Sequence, residues 1–339
     1  MAVQDIEYVE LYASNRQSVI EYFVSSLGFV QVAEAVDSDT NSVLLRQAGV
    51  QLIVTTGPGT HEFLDAHGDG VVDIAMTCDD PAATCDTAVA AGAAIIDVPA
   101  SGRAVSGFGA VRHTLLTGSA SPGSSLPAGR TWIGGHAATT GPSGRIRKLD
   151  HVAVCVEGGK LDEYADFYAA FGLARYSSEY VDVGDQAMDS IVVRNPSGGV
   201  TFTLVAPDPL KNPGQLDAFL NRNGGEGVQH LAFLVDNIIP AVHECAERGV
   251  EFLKTPGTYY DILSDRFADM REEIADLRES NVLADRDEWG YLLQLFTRSP
   301  YERNTLFYEF IQRRGARGFG AANIRALYEA VERERLAAE

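Results

Sequence analysis

The strongest constraint in this chain is that its two halves repeat each other in order. The stretch "IEYVELYASNRQSVIEYFVSSLGFVQVAE" at 6–34 parallels "LDHVAVCVEGGKLDEYADFYAAFGLARYSSE" at 149–179. Each reads as a strand, a polar break and an amphipathic helix, with Gly28 or Gly172 at the helix end. Next, "SVLLRQAGVQLIVTTGPG" at 42–59 matches "SIVVRNPSGGVTFTLVAPDP" at 190–209, two strand-like runs around a turn in both cases. Both halves then restart, at "FLDAHGDGVVDIAM" and "FLNRNGGEGVQHLAF", and continue into helices at about 81–92 and 238–249. Each half therefore holds two strand-helix-strand-strand-strand units, and the expected fold is α+β with four βαβββ units in all.

A chain of 339 residues exceeds the usual size of one hydrophobic core, so the duplication is expected to give two domains in tandem. Between them, "GSASPGSSLPAGRTWIGGHAATTGPSGR" is rich in Gly, Ser and Pro and lacks periodicity. The boundaries drawn are 1–117 for the first domain, 118–145 for a linker and 146–339 for the second. The end of the chain, "FGAANIRALYEAVERERLAAE", puts Ile324, Leu327, Tyr328 and Val331 on one face of a C-terminal helix.

A formal charge of −20 repels phosphate backbones and anionic lipid, and no apolar run is long enough to span a bilayer. Nucleic acid and membranes are thus not expected partners, and a cytoplasmic location is expected, since the N-terminus lacks the pattern of a secretion signal. Cys78, Cys85, Cys155 and Cys245 have neither CxxC spacing nor the density of a disulfide framework. A homo-oligomeric assembly is compatible with this composition.

The repeat isolates two histidines. His151 opens the third unit and His230 the fourth, while the matching positions of the first half hold Tyr8 and Asp73. An imidazole on an apolar strand is usually a satisfied core group, but two at equivalent positions suggest a shared task. Glu309, inside the apolar run from Leu306 to Ile311, is costly to bury unless paired or bound to metal. Two imidazoles and one carboxylate with open positions suit a non-haem Fe(II) oxygenase. Zinc stays open as well, although the chain lacks an HExxH helix. His61, His67, His113, His136 and His243 read as structural or surface groups.

The motifs "LDHVA", "GVQHLAF" and "LLQLFT…RNTLFYEFIQRRG…GFGAANIRALYEAVERE" resemble the 4-hydroxyphenylpyruvate dioxygenase and 4-hydroxymandelate synthase family, within the vicinal oxygen chelate superfamily. The resemblance covers nearly the whole chain. It implies an open, barrel-like sheet in each glyoxalase-like domain, a first domain without metal, and a C-terminal helix covering the active site. It also implies Fe(II) held by His151, His230 and Glu309, with an aryl pyruvate and O2 as reactants.

Both branches of that family decarboxylate 4-hydroxyphenylpyruvate oxidatively. The dioxygenase branch then hydroxylates the ring to give homogentisate, and the synthase branch hydroxylates the benzylic carbon to give 4-hydroxymandelate, used for hydroxyphenylglycine in peptide antibiotics. Where the ring sits should decide between them. Thr203 and Val205 stand where the dioxygenase pattern has Pro and Asn, and Ile324 stands where it has a Phe that clamps the ring together with the residue matching Phe296. These positions are similar to the synthase branch, which is therefore the expected activity, with the homogentisate-forming dioxygenase as the alternative and a non-catalytic binding protein on the same scaffold as the third. Ser190, Gln215, Gln229 and Gln294 resemble the shared polar pocket residues, and Phe296, Phe307 and Phe319 the apolar wall, with Phe319 placed to act as a lid.

Overall fold

The structure is a computed structural model that describes residues 2–96, 103–118, 126–134, 144–320, 322–323 and 325–326. Ile324 and the expected helix beyond it lie outside the described residues. The first unit is β1 (Val3–Tyr12), α1 (Arg16–Glu21), β2 (Val30–Val36), β3 (Asn41–Gln47) and β4 (Val50–Thr56). After α2 (His61–His67), the second is β5 (Gly70–Cys78), α3 (Pro81–Ala90), β6 (Ile95–Ile96), β7 (Arg103–Ser106) and β8 (Arg112–Thr117). A short β9 (Ile133–Gly134) precedes the third unit: β10 (Ile146–Cys155), α4 (Leu161–Ala169), β11 (Ala174–Val183), β12 (Gln186–Arg194) and β13 (Thr201–Pro207). After α5 (Gln215–Asn223), the fourth is β14 (Gly227–Val235), α6 (Ile238–Glu247), β15 (Leu283–Arg286), β16 (Tyr291–Phe296) and β17 (Phe307–Arg314).

The four βαβββ units are thus present, and local chemistry explains their punctuation. Asn15 caps α1 by accepting from the Ser18 N–H, and Asp80 caps α3 by accepting from Ala83, with Pro81 at the first helical position. Gly28 and Gly172 adopt φ of 83° and 81° where the chain leaves its helices, a conformation that disfavours a Cβ. The sequence reading assigns nothing between α6 and β15, where the structure has α7 (Gly257–Arg266) and α8 (Arg271–Glu279).

Each half forms one sheet, in the order β6-β7-β8-β5-β1-β4-β3-β2-β9 for the first and β11-β12-β13-β10-β14-β17-β16-β15 for the second. In both, the opening strands of the two units pair antiparallel at the centre, and each runs parallel to the last strand of its own unit. The halves share one large core. Phe23 packs on Tyr308 of β17, Phe29 on Phe233 of β14, and buried His113 of β8 bonds the Tyr168 hydroxyl of α4 at 2.8 Å.

The segment read as a linker does more than connect. Its β9 pairs with β2, Trp132 packs against the core cluster of Tyr8 and Ile53, and Arg130 reaches the buried carboxylate of Glu10. Glu10 also pairs with Arg112 at 3.1 Å, and Arg112 with Asp73 at 3.1 Å. The position that matches His230 is therefore part of a closed ion-pair network, neutralised by guanidinium groups.

Candidate metal centre

Register builds the centre. On β10 and β14, His151 lies opposite Ala232 and Ala153 opposite His230, while Ala232 faces Glu309 across the parallel pair of β14 and β17. Because side chains alternate along strands, this register turns all three groups to one face on three adjacent strands. Their ligand atoms lie within 4.8 Å of one another, and among the described residues this is the one cluster of such groups with metal-binding spacing. His151 Nε2 and His230 Nε2 are 3.2 and 3.3 Å from the same oxygen, Glu309 Oε2.

Neighbouring groups hold each ligand in place. Asp150 Oδ1 accepts from His151 Nδ1 at 3.0 Å, and Gln229 Oε1 accepts from His230 Nδ1 at 3.1 Å, which leaves both Nε2 atoms directed at the shared point. Gln294 Nε2 donates to the other Glu309 oxygen at 2.8 Å and is itself held by Asn323, whose amide is fixed by the Tyr259 hydroxyl. Arg313 donates to both oxygens of Asp150, at 2.8 and 2.7 Å.

The electrostatics follow from this packing. Burial by itself would keep Glu309 neutral, but the two imidazoles hold it down to about 2. Burial pushes His230 down as well, whereas for His151 the carboxylates of Glu309 and Asp150 outweigh burial and raise it to about 9. The trio thus offers a carboxylate ligand and an imidazolium whose proton a divalent cation would release on binding. The donor types, the common focus and the oriented imidazoles fit a divalent metal with open positions.

A cavity of about 60 Å³ opens beside the trio. Of the residues read as pocket groups, Thr203, Val205, Gln215, Gln229, Gln294, Phe296, Phe307 and Phe319 line it. Phe307 tilts over His230 at 5.0 Å and Phe319 meets His151 edge-on at 5.3 Å. Ser190 is buried on β12 opposite Val205 of the wall, and its hydroxyl donates to the Glu179 carbonyl at 3.1 Å across the hairpin. The Ile324 position lies outside the described residues. Thr203 Oγ1 is buried and has no hydrogen-bond partner among the described residues.

The sequence reading missed Asp150 and Arg313, and missed Met188 and Leu216 in the wall. A signal for the first two was available. Asp150 adjoins His151, and Arg313 follows Glu309 at the even spacing that keeps strand residues on one face.

Residues 150–291 match the glyoxalase/bleomycin resistance protein/dioxygenase superfamily, and residues 1–112 match the N-terminal family of hydroxyphenylpyruvate dioxygenase. The chain is 34% identical over 297 residues to the 4-hydroxyphenylpyruvate dioxygenase of Neurospora crassa, covering 81% of this chain and 71% of the relative. With the dioxygenase of Aspergillus fumigatus it shares 29% identity, covering 97% and 92%. A solved structure of a triple mutant of 4-hydroxymandelate synthase from Streptomyces coelicolor is 50% identical, with a TM-score of 0.91 over 99% of this chain and 100% of that one. Two sheets of paired βαβββ units, with a His-His-Glu centre beside an apolar-walled cavity, define a dioxygenase of the vicinal oxygen chelate class. The chain belongs to the 4-hydroxyphenylpyruvate dioxygenase and 4-hydroxymandelate synthase family. Among the described residues no helix is long and apolar enough to cross a membrane.

Proposed function

We propose that this enzyme is an Fe(II)-dependent 4-hydroxymandelate synthase, converting 4-hydroxyphenylpyruvate and O2 to 4-hydroxymandelate and CO2 and supplying hydroxyphenylglycine for peptide antibiotics. His151, His230 and Glu309 would hold the iron, which when bound supplies chelation of the 2-oxo acid and reductive activation of O2. The chain's own residues do the rest. Asp150, Gln229 and Gln294 orient the three ligands. Phe296, Phe307 and Phe319 wall the aromatic ring and keep water away from the reacting carbon.

The observation that carries the synthase reading is the cavity wall at Thr203 and Val205. A hydroxyl without a partner among the described residues is a ready donor or acceptor for a substrate oxygen, and the short side chain of Val205 leaves room for the ring to shift so that the benzylic carbon faces the centre. The 50% identity to the Streptomyces coelicolor synthase supports the same reading. The two candidate products are isomers, so mass does not separate them. Incubation of the Fe(II)-loaded enzyme with 4-hydroxyphenylpyruvate in air, followed by chromatography against both standards, is expected to give 4-hydroxymandelate. Homogentisate as the main product would overturn the assignment.

A further inference from the structure

The second sheet has a further cavity at one end, where β10 and β13 begin and β12, β14 and β17 finish. It encloses about 280 Å³, and its wall carries Lys148, Arg194, Arg313 and Arg317 against Asp150 and Asp236. Arg313 neutralises Asp150, and Arg147 pairs with Asp236. Among the described residues, Lys148, Arg194 and Arg317 have no carboxylate at ion-pair distance. Three such cations in one cleft stand out on a chain of net charge −20.

This cleft and the cavity beside the metal ligands share one residue, Phe319. Its ring lies under the Arg313 guanidinium at 5.1 Å, meets Tyr176 edge-on at 6.2 Å and touches His151 on its other side. Arg194 in turn sits over Tyr176 at 5.2 Å. Phe319, a half-buried ring flanked by Gly318 and by Gly320 at φ 76°, thus borders both the basic cleft and the cavity beside the ligands.

The geometry points to this cleft as the entrance for the substrate: Lys148, Arg194 and Arg317 collect the carboxylate of an aryl 2-oxo acid and pass it by Phe319 to the metal ligands. This rests on the proposed use of an aryl pyruvate. A focused positive potential raises the encounter rate of a small anion by roughly 10- to 1,000-fold at low ionic strength, and the effect fades as the Debye length shrinks from about 30 Å at 0.01 M to about 8 Å at 0.15 M.

The experiment is anaerobic stopped-flow binding of 4-hydroxyphenylpyruvate to the Fe(II)-loaded enzyme, read by the absorbance of the 2-oxo acid chelate across that range of salt. Wild type is expected to bind more slowly as salt rises. The variant Lys148→Gln/Arg194→Gln/Arg317→Gln is expected to bind about tenfold more slowly at low salt, with a nearly flat salt dependence. A control carrying the same change of net charge at Arg16, Arg103 and Arg298 is expected to retain most of the wild-type rate. Equal rates and salt slopes in wild type and the cleft variant, or an equal loss in the control, would overturn the proposal. Product identity reads the proposed reaction and association rate reads the entrance, so either can fail alone: homogentisate formation would leave this inference intact, since both reactions begin with the same anion.

Discussion

Replacing Arg313 by Met should weaken metal binding without touching any metal ligand. The guanidinium makes two bonds, at 2.8 and 2.7 Å, to a carboxylate whose side chain is only 7% exposed, and that carboxylate orients His151 through a 3.0 Å bond. Burial pushes Asp150 toward its neutral form, and Arg313, followed by His151, overrides this and holds it well below the usual carboxylate range. Stranding a buried charge costs about 3–5 kcal/mol, and the 19% exposure of the arginine side chain argues for the lower end. Relief comes by protonation of Asp150, which then accepts poorly from Nδ1 and frees the ring of His151. Loss of such a supporting group lowers metal affinity by about 10- to 100-fold, or about 1.4–2.7 kcal/mol. Titration of the metal-free protein with Fe(II) against a competing chelator, without oxygen, measures this directly, and denaturant unfolding of the same samples reports the fold. Arg313→Lys should recover part of the affinity, because it restores the charge without the paired geometry. A folded Arg313→Met protein with affinity within about twofold of wild type would refute the argument.

Three other outcomes are expected. His113 is buried and pushed down to about 4, against about 6.5 in an unfolded chain, so the unfolded state takes up this proton first; its stabilisation is complete above pH 6.5 and is lost as pH falls toward 4. Denaturant unfolding should show about 2–3 kcal/mol more loss between pH 7 and 4.5 in wild type than in His113→Gln, and equal losses would sink the assignment. Thr203→Val removes a buried hydroxyl that has no partner among the described residues, so it should leave stability equal or raise it by up to about 1 kcal/mol while weakening 4-hydroxyphenylpyruvate binding; a clear loss of stability would show that the hydroxyl has a structural partner. Gly320→Ala combines a strained φ of 76° with a Cβ that would overlap the Gln294 amide, the group that holds Glu309. Metal affinity should fall together with a loss of about 1 kcal/mol or more in stability, and an unchanged affinity would mean that Gln294 does not position Glu309.

The duplicated pattern was sufficient to count the four units, to place Gly28 and Gly172 where the helical segments of the first and third units end, and to single out His151 and His230, because period and propensity act over a few residues. Alternation along β10, β14 and β17 even sets which side chains share a face. The pairing of those strands is not local. The registers that put Ala153 opposite His230 and Ala232 opposite Glu309 come from hydrogen bonding and packing between segments far apart in the chain, and they alone bring the ligand atoms within 4.8 Å. The same non-local packing left Thr203 without a partner among the described residues and set Arg313 behind Asp150. It also drew Arg130 and Trp132, in a stretch that reads as a tether, against the core of the first half. The residue sequence thus determined the units and the kinds of ligand, while closure of the sheets decided which side chains meet, since a side chain's partner is chosen by whatever strand folds beside it.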